Sequence, residues 1–175
     1  GVVRGDGIEE GIVSTRNGMV LAMLTPFVLA TRKCAMQMMS NAMYVLDELP
    51  NVKMSDGLRK QTQDVCNGLI GTKHDLITEL FDLDDLVATE ASDAQVGERV
   101  ERIVQWAFED LTKLHQVVTA LDEASKRDDL EFGSASLLVM ESAGNILNAF
   151  HPMRAAADAV LRAVHGVPLQ GASPS

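Results

Sequence analysis

Between positions 96 and 121 the apolar residues Val96, Val100, Ile103, Ala107, Leu111, Leu114, Val118 and Leu121 recur every three or four places. In an α-helix, residues three and four apart share one face. This spacing, held for about seven turns, therefore requires a long helix with one buried stripe. Ser92 stands where an N-cap belongs, and Lys126 and Arg127 complement the negative end of the helix dipole. A helix with a single apolar stripe cannot bury that stripe alone, so it needs others to pack against.

The rest of the chain supplies them. A first helical stretch is predicted over residues 14–49, interrupted at Pro26. Either it kinks there, or a short helix over 15–24 precedes a longer one that starts with Thr25 as N-cap and Pro26 as its first residue. Beyond Pro26, the polar positions Lys33, Gln37, Asn41, Tyr44 and Glu48 mark a solvent face, and Met36, Met39, Met43 and Leu46 a buried one. Ser55 caps a second helix carrying Leu58, Val65, Leu69, Leu76, Leu80, Leu83 and Val87. Gly68 and Gly71 weaken its middle by about 1 kcal/mol each against Ala, which a close-packed neighbour would excuse. Asp82, Asp84 and Asp85 suit a helix C-terminus poorly, so this helix is predicted to end near Phe81. A fourth helix starts after Ser134 or Ser136 and runs to His165, kinked at Pro152 and stopped by Gly166 and Pro168.

The fold class is thus all-α: an antiparallel, up-down-up-down four-helix bundle with Pro-kinked first and last helices. Residues 1–13 read as a flexible arm, 14–165 as the bundle and 166–175 as a disordered tail. Aromatic residues make up only 4% of the chain and there are nine methionines, a core composition that suits helices better than strands. Helix content should exceed roughly 65%, far above the soluble average of about a third.

Charge narrows the partners. The net charge is −10, and a phosphate backbone is bound by releasing counterions onto Lys and Arg, so nucleic acid is excluded. The charge is also uneven. Residues 55–91 and 92–133 each sum to −5, while 1–54 and 134–175 each sum to zero. In an up-down bundle the first and fourth helices are neighbours, and their joint outer surface would be poor in charge. Apolar patches on a soluble surface usually mark a partner site. Ala156 and Ala163, small residues outside the main stripe of helix four, are candidate contact positions for a protein partner or a second copy.

Few residues suggest chemistry. Residues 18–30 are uncharged but short of the roughly 20 apolar residues of a membrane span, so a buried helix explains them better than an anchor. Cys34 and Cys66 read as reduced, buried thiols, and a cytoplasmic location is expected. His74, His115, His151 and His165 lack the Glu-x-x-His spacing of a di-iron bundle and the Lys-Gly flank looked for after a phosphotransfer histidine. No metal or cofactor is expected, and no phosphate loop or nucleophile elbow stands out. Counting residues from the helix ends puts Pro26, Pro152, Trp106, Glu79 and His151 near one level. Kinks there could open a small-molecule pocket lined by Trp106, Glu79 and His151. Two short docking-like strings, Arg4-Gly5-Asp6 and Leu80-Phe81-Asp82-Leu83-Asp84, are weak enough to arise by chance. The function expected is therefore non-enzymatic: an adaptor-, chaperone- or immunity-type interaction module acting through helices one and four. The alternative is a ligand sensor with a pocket at the kinks.

Overall fold

Ser55 opens the second helix as its position predicts. Its backbone is extended (φ −64°, ψ 154°), and its hydroxyl accepts from the Leu58 amide at 3.3 Å. That satisfies one of the amides a helix start leaves without a partner. At the third helix the Ser92 hydroxyl accepts from the Gln95 amide at 3.3 Å, and the Gln95 side chain accepts from the Ser92 amide at 3.1 Å, a reciprocal capping box. The computed structural model describes residues 7–128 and 133–166. It contains α1 (Gly7–Glu48), a 3-10 turn (Leu49–Asn51), α2 (Asp56–Ala88), α3 (Asp93–Asp128) and α4 (Gly133–His165). Helix accounts for 94% of the described residues, and there is no strand among them.

The helices pack chiefly as a ring, with α1 against α2 and α4, and α3 against the same two. Phe27, Met38, Leu76, Ile103, Leu121 and Met153 are fully buried in the shared core. Most of the stripe predicted for α3 faces this core: Val100, Ile103, Ala107 and Leu121 are 0% exposed, but Leu111 and Val118 are only half-buried, and Val117 rather than Val118 takes the inner place. Arg59 ties down the α1–α2 link by donating to the carbonyls of Leu49 and, at 2.9 Å, Val52.

Several boundaries differ from the pattern. α1 opens at Gly7 rather than Ser14 and runs unbroken through Pro26, as α4 does through Pro152, so Thr25-Pro26 is no helix start. A proline inside a helix costs about 3 kcal/mol. Burying Leu24 and Phe27 on either side, at about 1.5–3 kcal/mol each, offsets it. α2 does not stop at Phe81. Leu83 is 1% exposed and extends the buried line of Leu76 and Leu80, which outweighs the ~1 kcal/mol or less that the dipole charges for Asp82, Asp84 and Asp85. The helix ends instead at a left-handed Glu90 (φ 55°), where the Ala91 amide reaches back to the Leu86 carbonyl at 2.9 Å. Leu80 and Leu83 of the second docking-like string are therefore core residues. Arg4-Gly5-Asp6 lies outside the described residues. α4 starts at Gly133, with Ser136 buried inside it, and stops at Gly166 (φ +70°) as predicted.

The face of α1 is the largest correction. Met36 and Met43 are 53% and 46% exposed, whereas Asn41, placed by its pattern toward solvent, is 7% exposed. α1 is apolar nearly all round, so periodicity alone could not select its inner face. Asn145 of α4 decides it by donating to the Asn41 side chain at 3.0 Å, while Asn41 donates to the Gln37 carbonyl at 2.8 Å. The stretch Gly18–Asn51 is long enough to cross a membrane and contains an 18-residue window with a mean hydropathy of 1.4. Here its inner stripe of Phe27, Thr31, Cys34, Ala35 and Met38 is packed into the bundle.

Gly68 and Gly71 are exposed, and a methyl group on either would meet nothing within 4 Å, so no neighbour requires them. Gly68→Ala and Gly71→Ala should therefore each stabilise the protein by about 1 kcal/mol. Thermal melts should rise by about 2–4 °C per substitution. A lower melting temperature would mean that one of these glycines does serve a close contact.

Candidate functional site

The large apolar side chains that remain exposed are unevenly placed. Among the described residues, all except Phe81 and Phe108 lie on α1 or α4. On α4 they are Leu137, Met140 and Leu147, and two of these border a strongly apolar depression on the surface. It is a half-open groove of about 550 Å³ between α3 and α4. Phe108, Leu111 and Val118 form one wall, and Met140, Leu147 and Phe150 the other. The rings of Phe108 and Phe150 meet at 6.4 Å across it. Ala143 and Gly144 keep that side low, and a Cβ on Gly144 would meet nothing within 4 Å.

Its electrostatics run against the rest of the molecule. The chain carries −10, yet no Asp or Glu lines the groove, and its ionisable residues are His115, His151 and Arg154. Arg154 has no carboxylate partner among the described residues. An occupant that is apolar along one side and anionic at its edge would be complementary.

The residues expected at a kink-level pocket do not converge. His151 alone lines the groove. Trp106 is half-buried, packed on the core and lines none of the described pockets. Glu79 is buried at the α2–α3 contact, where it accepts from Arg99 at 2.5 Å with Arg102 at 3.9 Å, and Arg99 also reaches Asp82 at 3.1 Å. A shared level along the bundle axis says nothing about direction around each helix. Ala163 is 5% exposed and Ala156 half-buried against the core, so both turn inward rather than onto an outer face. Phe108, Leu147 and Arg154 were overlooked. Their signal was that Phe108 sits one place off the α3 stripe, and that Met140 and Leu147, seven apart, repeat on a helix with little charge.

No protein-family model, curated protein or solved structure matches this chain. Its chemistry has to be read from the side chains themselves. Among the described residues no three His, Cys, Asp or Glu side chains are grouped to hold a metal ion. Cys34 and Cys66 are unlinked and buried, and burial pushes their thiols up to about 12 and about 11. Both stay protonated at neutral pH, which leaves them poor nucleophiles.

Asp110 is a buried carboxyl that is only partly satisfied. It sits in the α3 stripe at 8% exposure with Oδ2 unpartnered. Burial raises its pKa, Glu109 and Asp75 add to the rise, and a hydrogen bond from Thr72 and the charge of Lys113 oppose it. A carboxyl raised on folding holds its proton more tightly folded than unfolded. It therefore destabilises the protein above its folded pKa, and the penalty fades as pH falls through that value. Asp110→Asn should stabilise the protein by about 1 kcal/mol at pH 7, with the gain shrinking in acid. Urea titrations across pH would show this, and an equal gain at every pH would contradict it.

Proposed function

We propose that this chain is a non-enzymatic interaction module whose α3–α4 groove receives one side of an amphipathic helix from a protein partner. One observation carries the proposal: an open apolar groove, free of acidic residues, on a strongly acidic molecule. The α4 wall runs from Met140 to Arg154, about 21 Å at 1.5 Å per residue, room for about four turns of a docked helix. Such a helix would place apolar anchors at i, i+3 or i+4 and i+7 in the groove, and acidic residues beside His115, His151 and Arg154. The partner surface thus pairs α4 with α3, where charge counting pointed to α4 with α1.

In this proposal the helices alternate in direction as an up-down-up-down bundle, supported by short links and the ring of helix contacts. Pro26 and Pro152 bend their helices, since neither can bond the carbonyl four residues earlier. The module acts in the cytoplasm, which two protonated, unlinked thiols support. A second reading is favoured by the groove's volume, which falls in the range of small-ligand sites. In that case the occupant is a single-chain amphiphile with an anionic head.

The test is selection from a display library of amphipathic helical peptides, with affinities measured by fluorescence anisotropy. Acidic amphipathic helices should be recovered. Gly144→Leu fills the groove from a position with free space, and should weaken them at least about tenfold without lowering the melting temperature. Arg154→Glu should weaken acidic peptides selectively. Selected peptides that bind Gly144→Leu undiminished would overturn the proposal. Tight binding of palmitate with no peptide recovered would establish the second reading in its place.

A further inference from the structure

The outer side of α1 carries a second apolar feature, separate from the groove. Leu29, Met36 and Met43 are 60%, 53% and 46% exposed and stand seven residues apart. Lys33, Ser40 and Asp47, also exposed and seven apart, alternate with them, so the six make one stripe with three-four spacing. This is the repeat by which two helices pack side by side. Nothing earlier in α1 can fold over the stripe, because the helix is continuous from Gly7 and its first turns extend along the same axis.

The charges on this stretch are antisymmetric. Arg32 and Lys33 stand at one end and Asp47 and Glu48 at the other, with residues 34–46 uncharged between them. Both pairs are equally far from Ser40. Neither Lys33 nor Asp47 has an ion-pair partner among the described residues. A helix with this pattern complements a reversed copy of itself.

We propose that α1 pairs with α1 of a second copy of this chain, antiparallel and centred on Ser40. Rotation about that point sets Lys33 opposite Asp47 of the partner subunit, about two helical turns from the centre on each side. It brings Met36 to within one residue of the level of Met43 of the partner subunit, where flexible thioethers adapt to one another. The small Ser40 lies at the axis and allows close approach. A parallel pair would instead face Lys33 with Lys33 and Asp47 with Asp47, so like charges select the antiparallel arrangement. The interface is isologous and closes as a dimer. It leaves the α3–α4 groove free in each subunit.

Sedimentation equilibrium of the full chain over a concentration series tests this. Lys33→Glu and Asp47→Lys should each weaken the dimer at least about tenfold, and the two combined should restore most of the loss. Both positions are on the surface, so circular dichroism should show unchanged helix content and melting. Ser40→Cys should form a disulfide-linked dimer on mild oxidation. Cys34 and Cys66 are buried and will not confuse that product. Three results would overturn the proposal: a monomer throughout the series, a dimer indifferent to Lys33→Glu, or charge variants whose combination restores nothing.

Discussion

Arg99→Met is expected to destabilise this protein by about 3 kcal/mol, whereas Glu79→Met changes stability by less than about 1 kcal/mol. The two residues make one ion pair, yet they differ in what each leaves behind. Glu79 is 5% exposed, and without Arg99 its carboxylate keeps only Arg102 at 3.9 Å. An uncompensated charge then sits in the α2–α3 contact. Arg99 is nearer to solvent, with 23% of its side chain exposed, and without Glu79 it retains Asp82 at 3.1 Å. The melting temperature should fall by roughly 6–12 °C for Arg99→Met and by little for Glu79→Met. The double variant should resemble Glu79→Met alone, since removing the buried carboxylate removes the reason for its partner. Equal losses in the two single variants would show that the pair is worth more than its desolvation.

Ala163→Glu is expected to cost more still, about 4 kcal/mol or greater, and to leave the chain largely unfolded at physiological temperature. Ala163 is 5% exposed beside the buried Val160 and Val164, so a carboxylate placed there would be taken out of water. Ala155→Glu, at an exposed position on the same helix, should change stability by no more than about 0.5 kcal/mol. Urea denaturation followed by circular dichroism distinguishes the two. If both variants melt alike, the rotation of α4 about its axis is other than described. Ala156→Glu should fall between them, since Ala156 is half-buried against the core.

Local chemistry was the most legible part of this chain. The caps at Ser55 and Ser92 and the stop at Gly166 depend on contacts within a few residues, so side-chain type is nearly enough to place them. The α3 stripe could be read because its other faces are strongly polar, which leaves one orientation. Where that contrast fades, the reading fails. α1 has apolar residues on every side, and Met36, Met43 and Asn41 exchange places relative to the pattern. Alanines 156 and 163 carry too little side chain to signal inside or outside. The end of α2 was missed because a small dipole penalty was weighed without the larger gain from burying Leu83.

The site was less legible than the fold. Trp106, Glu79 and His151 were grouped by height along the bundle, but a binding surface also needs a common azimuth, and only His151 has it. By itself the sequence determined that the chain is helical, that α3 buries one stripe, where two helices begin and that the bundle is acidic. All of these follow from periodicity, capping and charge, which act within a helix or by simple addition. Only the tertiary structure decided which side of α1 meets Asn145, where Glu79 finds Arg99 and that α3 and α4 leave a groove between them. Those outcomes depend on the rotation of each helix about its axis, set by the fit of several helices at once.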